Sequence, residues 1–241
     1  PWLANVAVHG LETASDTAFP TYEDRHRGKP KVVRDADDCG VVQRDREVIV
    51  QAQQIASTWL PGLGLALKPS KTRRAHTPQP IEGVAGFDFR GFHSRQYPVG
   101  KYKTGTTGHG KPLGFKTPSK PSTAAPHRPL LQSKGELRKL PAASPEGRIG
   151  TLTPRSQGGS HYYSAVVAKA TFSRMDTWVY ATLRRWAQRR HPKQSSWWGS
   201  EQYWHLREGH GTCKTDRGKT LRRHADTPIR RHTKVRGARS P

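Results

Sequence analysis

Carboxylates are scarce in this sequence. Its 241 residues carry 18 Asp and Glu against 42 Lys and Arg, a formal net charge of +24. A field of that sign attracts polyanions, of which nucleic acid is the commonest. Apolar residues are also few: 32% of the chain, against roughly 45–50% in ordinary globular proteins when glycine is counted, and adding the 23 glycines leaves the share on the low side. A core can form, but not everywhere. No apolar run approaches the ~18–20 residues of a membrane span, and no secretory leader pattern is present. The chain therefore reads as intracellular and cytoplasmic, with no membrane partner. Only two cysteines occur, Cys39 and Cys213. Their separation excludes a zinc knuckle, and a disulfide between them stays open.

The few acids are unevenly placed. From Pro1 to Phe92, 12 basic residues meet 11 acidic ones; from His93 to Pro241 the numbers are 30 and 7. A nearly neutral block thus precedes a strongly basic one. The basic block is also rich in aromatics, among them Tyr162, Tyr163, Phe172, Trp178, Tyr180, Trp186, Trp197, Trp198, Tyr203 and Trp204. Solvated basic tails are poor in such residues, so part of this block is expected to fold.

In the first block, Leu3, Val6, Ala7, Leu11 and Ala14 trace one helical face. Because the face is complete from residue 1, further sequence is expected upstream. Residues 15–31 read as a polar connection. Val32-Val33 and Val41-Val42 then flank the acidic run Asp35-Ala36-Asp37-Asp38, the pattern of a β-hairpin with carboxylates at its tip. Adjacent carboxylates repel unless a cation lies between them, which makes Asp37 and Asp38 candidate Mg²⁺ ligands; a merely solvated acidic turn is the alternative. Asp45 is placed to cap a helix with Glu47 in its first turn. Val48, Ala52, Ile55, Ala56 and Trp59 fall at helical spacing, and Pro61-Gly62 stops the run. The alternation Leu63-Gly64-Leu65-Ala66-Leu67 predicts a strand ended by Pro69, and Phe87-Asp88-Phe89-Arg90-Gly91-Phe92 predicts a tight aromatic hairpin.

The basic block opens with a Gly-, Lys- and Pro-rich segment, 93–128, that reads as a linker or a phosphate-contacting loop. Leu130, Leu131, Leu137 and Leu140 predict a short helix. After Thr151-Leu152-Thr153-Pro154 and Gly158-Gly159, read as a turn, Tyr162, Phe172, Met175, Trp178, Val179, Leu183 and Trp186 predict an amphipathic helix. That helix ends in Arg184-Arg185 and Arg189-Arg190, cations at its negative end, with Pro192 beyond. Arg222, Arg223, Arg230 and Arg231 lie farther on, beyond the aromatic run Trp197, Trp198, Tyr203 and Trp204. Arginine next to aromatics suits phosphate contact and base stacking.

In their order and spacing these segments resemble group II intron-encoded reverse transcriptases, or maturases. Asp35-Ala36-Asp37-Asp38 resembles that family's Tyr-Ala-Asp-Asp motif with Asp in place of Tyr. Leu63–Thr72 and Phe87–Phe92 resemble its Leu-Gly-Leu and Phe-x-Phe-Leu-Gly-Phe segments. The helix with its preceding Leu152-Thr153-Pro154 resembles the thumb, the maturase domain X. The resemblance implies an α+β fold: a partial palm over 1–92, a linker over 93–128, a helical thumb over 129–193 and a basic, partly disordered tail over 194–241. It further implies Mg²⁺ at Asp37 and Asp38, with a third Asp upstream, and intron RNA and target DNA as partners. Contacts to nucleic acid are expected from Lys68, Lys71, Arg184, Arg185, Arg189, Arg190, Arg222, Arg223, Arg230 and Arg231. With Asp35 in place of tyrosine and Arg90 in place of leucine, DNA synthesis by this chain alone is not expected. An RNA-binding splicing factor is the alternative reading, and a degraded gene remnant a third.

Overall fold

The computed structural model describes residues 9–19, 30–35, 38–81, 83–99, 104, 106, 111–124, 127–139, 143–207, 210–215 and 217–230. The chain divides into two compact units, 1–75 and 76–241. Each combines helices with small antiparallel sheets, in keeping with the α+β class.

In the first unit, helix α1 (His9–Ala18) leads to strands β1 (Lys31–Asp35) and β2 (Asp38–Val42), then to helix α2 (Arg46–Trp59). The valine pairs form the expected hairpin, with Val33 opposite Gly40 and Asp35 opposite Asp38. Asp37 lies outside the described residues. Helix α2 begins where its cap dictates: Asp45 is extended and its carboxylate accepts the Glu47 N–H at 3.0 Å. Its buried face, Val48 and Ala52, packs with Phe19, and Val41 and Ile55 flank them. A Cβ on Gly10 would stand 2.7 Å from Trp59 Cζ2, so glycine is what permits α1 to lie this close to α2.

Two expectations fail in this unit. The connection predicted from residue 15 is helical through Ala18, and Phe19 is buried. The Leu-Gly-Leu segment is not a strand. Leu60–Leu63 forms a 3₁₀ turn ended by Gly64 at φ +69°, and Leu65–Lys68 has no strand partner among the described residues. Beyond it, the Lys68 carbonyl accepts the N–H groups of Lys71 and Thr72, both at 2.9 Å, and closes a turn. Leucines alternating with small residues mimic period two, but Leu63 and Leu65 remain exposed, so nothing rewards a ladder.

The second unit opens with β3 (Phe87–Phe89) and β4 (Phe92–Ser94), joined by Arg90 and Gly91 at φ 49° and 77°. Two positive φ values in a two-residue loop are the type I′ turn that suits strand twist. Arg90 lacks glycine's freedom there, and Tyr162 Oη donates to its carbonyl at 2.8 Å, fixing the turn. Segment 93–128 is more than a linker. Within it lie β5 (Tyr97–Pro98), β6 (Phe115–Lys116) and β7 (Ser119–Pro121); β7 joins the hairpin in the order β3-β4-β7, and β5 pairs with β6. The palm boundary expected at residue 92 falls inside this sheet. Phe92 stacks on Tyr162 at 5.1 Å between ring centres and meets Tyr163 edge-on at 5.5 Å.

Helices α3 (His127–Lys139), α4 (Pro145–Tyr163), α5 (Lys169–Arg190) and α6 (Ser196–Tyr203) follow, then the hairpin β8 (Trp204–Arg207) and β9 (His210–Cys213). Helix α4 replaces the turn predicted at Thr153–Gly159. Ser144 caps it, accepting the Gly147 N–H at 3.3 Å, and Pro145 occupies the first turn, where a missing N–H costs nothing. Inside the helix Pro154 gives up one hydrogen bond and crowds the Gly150 carbonyl, a penalty of about 3 kcal/mol. Burial of Ile149, Leu152 and Tyr163 on the same helix offsets it.

The core of the unit joins Leu137, Ile149, Leu152, Val179, Leu183 and Trp186 to Tyr203, Trp204, Cys213 and Leu221. A second cluster holds Tyr163, Val166, Ala168, Phe172 and Met175, with Ala225 and Ile229 packed against it. The region expected to begin a separate tail at residue 194 is therefore part of the helical core as far as Ile229. Asp176 on α5 holds it there. Its carboxylate accepts the backbone N–H and Nδ1 of His224, at 2.8 and 2.7 Å, and the N–H of Ala225 at 2.9 Å. Lys169 Nζ donates to the carbonyls of Ala225 and Thr227, and the Arg230 N–H reaches Ser164 O at 2.8 Å. Burial alone would raise the pKa of Asp176; the hydrogen bonds from the His224 ring and the two backbone N–H groups outweigh it and hold the carboxyl below its usual range.

Both cysteines are free thiols. Burial pushes Cys213 up to about 12, so it stays protonated and acts as a small apolar side chain. Among the described residues no helix is long and apolar enough to cross a membrane.

Candidate nucleic-acid interface

Helix α5 has two faces. Phe172, Met175, Val179, Leu183 and Trp186 are buried on one. At 100° per residue, Arg174, Arg184 and Arg185 fall on the opposite face, with Arg189 at its margin, and all four are exposed. Arg174 escaped the sequence reading because it stands alone, without the doubled arginines that marked the helix end.

The arginines at that end do different things. Arg184 donates from Nη2 to Ser196 Oγ at the start of α6, and Arg185 Nε donates to the Ala181 carbonyl at 3.1 Å. Arg190, though exposed, folds back on the helix: its guanidinium lies 5.7 Å from the Trp186 ring centre, and Nη1 donates to Ala143 O at 3.4 Å. The same ring is met by a residue the sequence reading did not single out. Arg148 is 4% exposed, stacks 4.8 Å from the centre of the same ring and donates to Leu137 O at 3.4 Å. Burial, then the Arg190 charge, lowers the pKa of its guanidinium. Arg148 thus braces the core from within and Arg190 covers the same indole from the surface, whereas Arg184, Arg185 and Arg189 are exposed with no ring contact among the described residues.

The remaining candidates divide in the same way. Arg222 and Arg230 are exposed, whereas Arg223 is half-buried, with Nε 3.9 Å from the Asp176 carboxylate. Arg231 lies outside the described residues. Lys68 and Lys71 are exposed on the turn of the first unit.

The acidic hairpin places Asp35 and Asp38 directly opposite one another. Two like charges so placed destabilise the pair, and a divalent cation between them would relieve it. Among the described residues no group of three His, Cys, Asp or Glu side chains comes together.

The aromatics around the cationic face are mostly spent on packing. Tyr203 lies edge-on to Trp186, its hydroxyl 2.7 Å from His191 Nε2; Trp204 meets Tyr180; and His191 lies edge-on to Trp198. Trp197 is the exception, 71% exposed.

A search of curated proteins finds no match to the chain. The family description "Group II intron, maturase-specific domain" matches residues 135–204. The matched stretch runs from within α3 to the first residue of β8 and contains all of α4, α5 and α6. Cys213 and Leu221, beyond the match, complete the same core. Over residues 135–204 the chain is thus similar to the group II intron maturase-specific domain.

Proposed function

We propose that the chain is a maturase that holds group II intron RNA against the outward face of α5, while the folded RNA carries out the splicing chemistry. In this reading the helical part of the second unit is the thumb and the first unit belongs to the palm. One observation carries the proposal: the helix that forms the core of the maturase-specific domain also turns Arg174, Arg184, Arg185 and Arg189 to solvent. Each arginine that meets a phosphate releases condensed counterions, so affinity for intron RNA should fall steeply with salt. Replacing Arg184, Arg185 and Arg189 together by glutamine should reduce the magnitude of the log K against log salt slope by about 2–3. Filter binding across a salt series measures it. An unchanged slope would place the RNA elsewhere, and a duplex of target DNA in the same assay tests the second polyanion.

The acidic hairpin supports no polymerase role for this chain alone. Asp35 stands directly opposite Asp38 in the position where the family it resembles has tyrosine, so two like charges share the end of the hairpin. Primer extension on an RNA template with Mg²⁺ or Mn²⁺ should give no processive product; extended DNA would refute this part of the reading.

A further inference from the structure

We propose that Trp197 is a stacking anchor for unpaired bases of RNA, an inference that rests on the RNA-binding reading above. The indole is 71% exposed in a segment whose other large aromatics, Trp198, Tyr203 and Trp204, all make ring contacts. Trp197 makes no ring contact among the described residues. Folding gains nothing from leaving so large an apolar plane in water.

The ring is nonetheless held on fixed backbone. Ser195 caps α6, accepting the Trp198 N–H at 3.1 Å on its hydroxyl and the Gly199 N–H at 3.2 Å on its carbonyl. The residue between, Ser196, takes the Arg184 guanidinium on its Oγ. A flat ring is therefore presented one residue from a fixed, outward cation, at the end of α5 that carries Arg185 and Arg189. From Pro192 to Tyr203 the only acidic residue is Glu201, on the far turn of α6.

The ligand that satisfies such a pair offers an aromatic face and an anion on the same unit. A nucleotide does both, its base stacking on the indole and its phosphate meeting arginine. Bases inside a duplex are stacked on their neighbours and present no free face, so the site selects unpaired nucleotides. The phosphate contacts set salt dependence, whereas stacking adds affinity that salt barely affects.

Titrating the full chain with single-stranded oligouridine and with a blunt RNA duplex, each across a salt series, tests this. Trp197→Ala should weaken oligouridine binding about 5- to 150-fold and leave both the salt slope and duplex affinity unchanged. Trp197→Phe, which keeps an aromatic plane, should recover most of the loss. Equal affinity of the alanine variant and the parent would overturn the proposal while leaving the arginine face intact, as would equal losses on single strand and duplex. Failure of the parent chain to bind either RNA would remove the underlying reading and this inference together.

Discussion

Replacing Asp176 by alanine should cost the second unit about 3–5 kcal/mol of stability, measured by urea denaturation at neutral pH. The carboxylate takes three donors, the backbone N–H and ring Nδ1 of His224 and the N–H of Ala225. His224 is 3% exposed, so water cannot replace the lost acceptor. Each stranded donor costs its desolvation, and the backbone that carries them loses its tie to α5. Asp176→Asn keeps one acceptor oxygen and should recover part of the loss. Acid should distinguish the parent from the alanine variant. The folded-state carboxyl titrates below its unfolded value, near 3.9. Its contribution is thus complete above that pH and disappears as pH falls through the lower folded value. The parent should lose stability on acidification below about pH 4, and the alanine variant should show a flatter acid limb.

Phe172→Ala should cost a further about 3–5 kcal/mol, read from the same denaturation curves. Its side chain has no exposed surface and fills the cluster of Tyr163, Val166, Ala168 and Met175. Phe172→Leu keeps more of the volume and should lose less. Phe172 lies one turn before Asp176, and its cluster is covered by Ala225 and Ile229, the segment that Asp176 tethers. The two alanine substitutions loosen the same contact, so the double variant should lose less than the sum of the singles. Full additivity would show that the tether and the cluster act independently.

How far the sequence could be read depended on whether local signals agreed with long-range packing. Helix α2 was legible because Asp45 caps it, its apolar spacing is regular and Pro61 follows. The acidic hairpin was legible from its valine pairs. The Leu-Gly-Leu segment misled because alternation indicates a strand only when a partner and a buried face exist. Helix α4 was obscured by Pro154, Gly158 and Gly159, breakers that tertiary burial overrides. The incorporation of Tyr203, Trp204, Cys213 and Leu221 into the helical core left no periodic trace, since these residues come from a short helix, a hairpin and a loop. At the candidate interface the doubled arginines were visible as a cationic helix end. That Arg190 faces Trp186, that Arg148 lies beneath it, and that Trp197 rather than Trp198 meets solvent depend on helix rotation and neighbours, which composition does not encode.

The Asp176 tether also bears on the order in which the protein is made. Asp176 precedes its donor His224 by 48 residues. At ribosomal speeds of about 5–20 residues per second, that separation amounts to roughly 2–10 seconds. For that interval a nascent chain holds α5 with its acceptor unanswered and with Cys213 and Leu221 not yet in place. The helical domain therefore closes only after residues near 230 leave the ribosome, and RNA that arrives sooner meets the arginine face on an unfinished support.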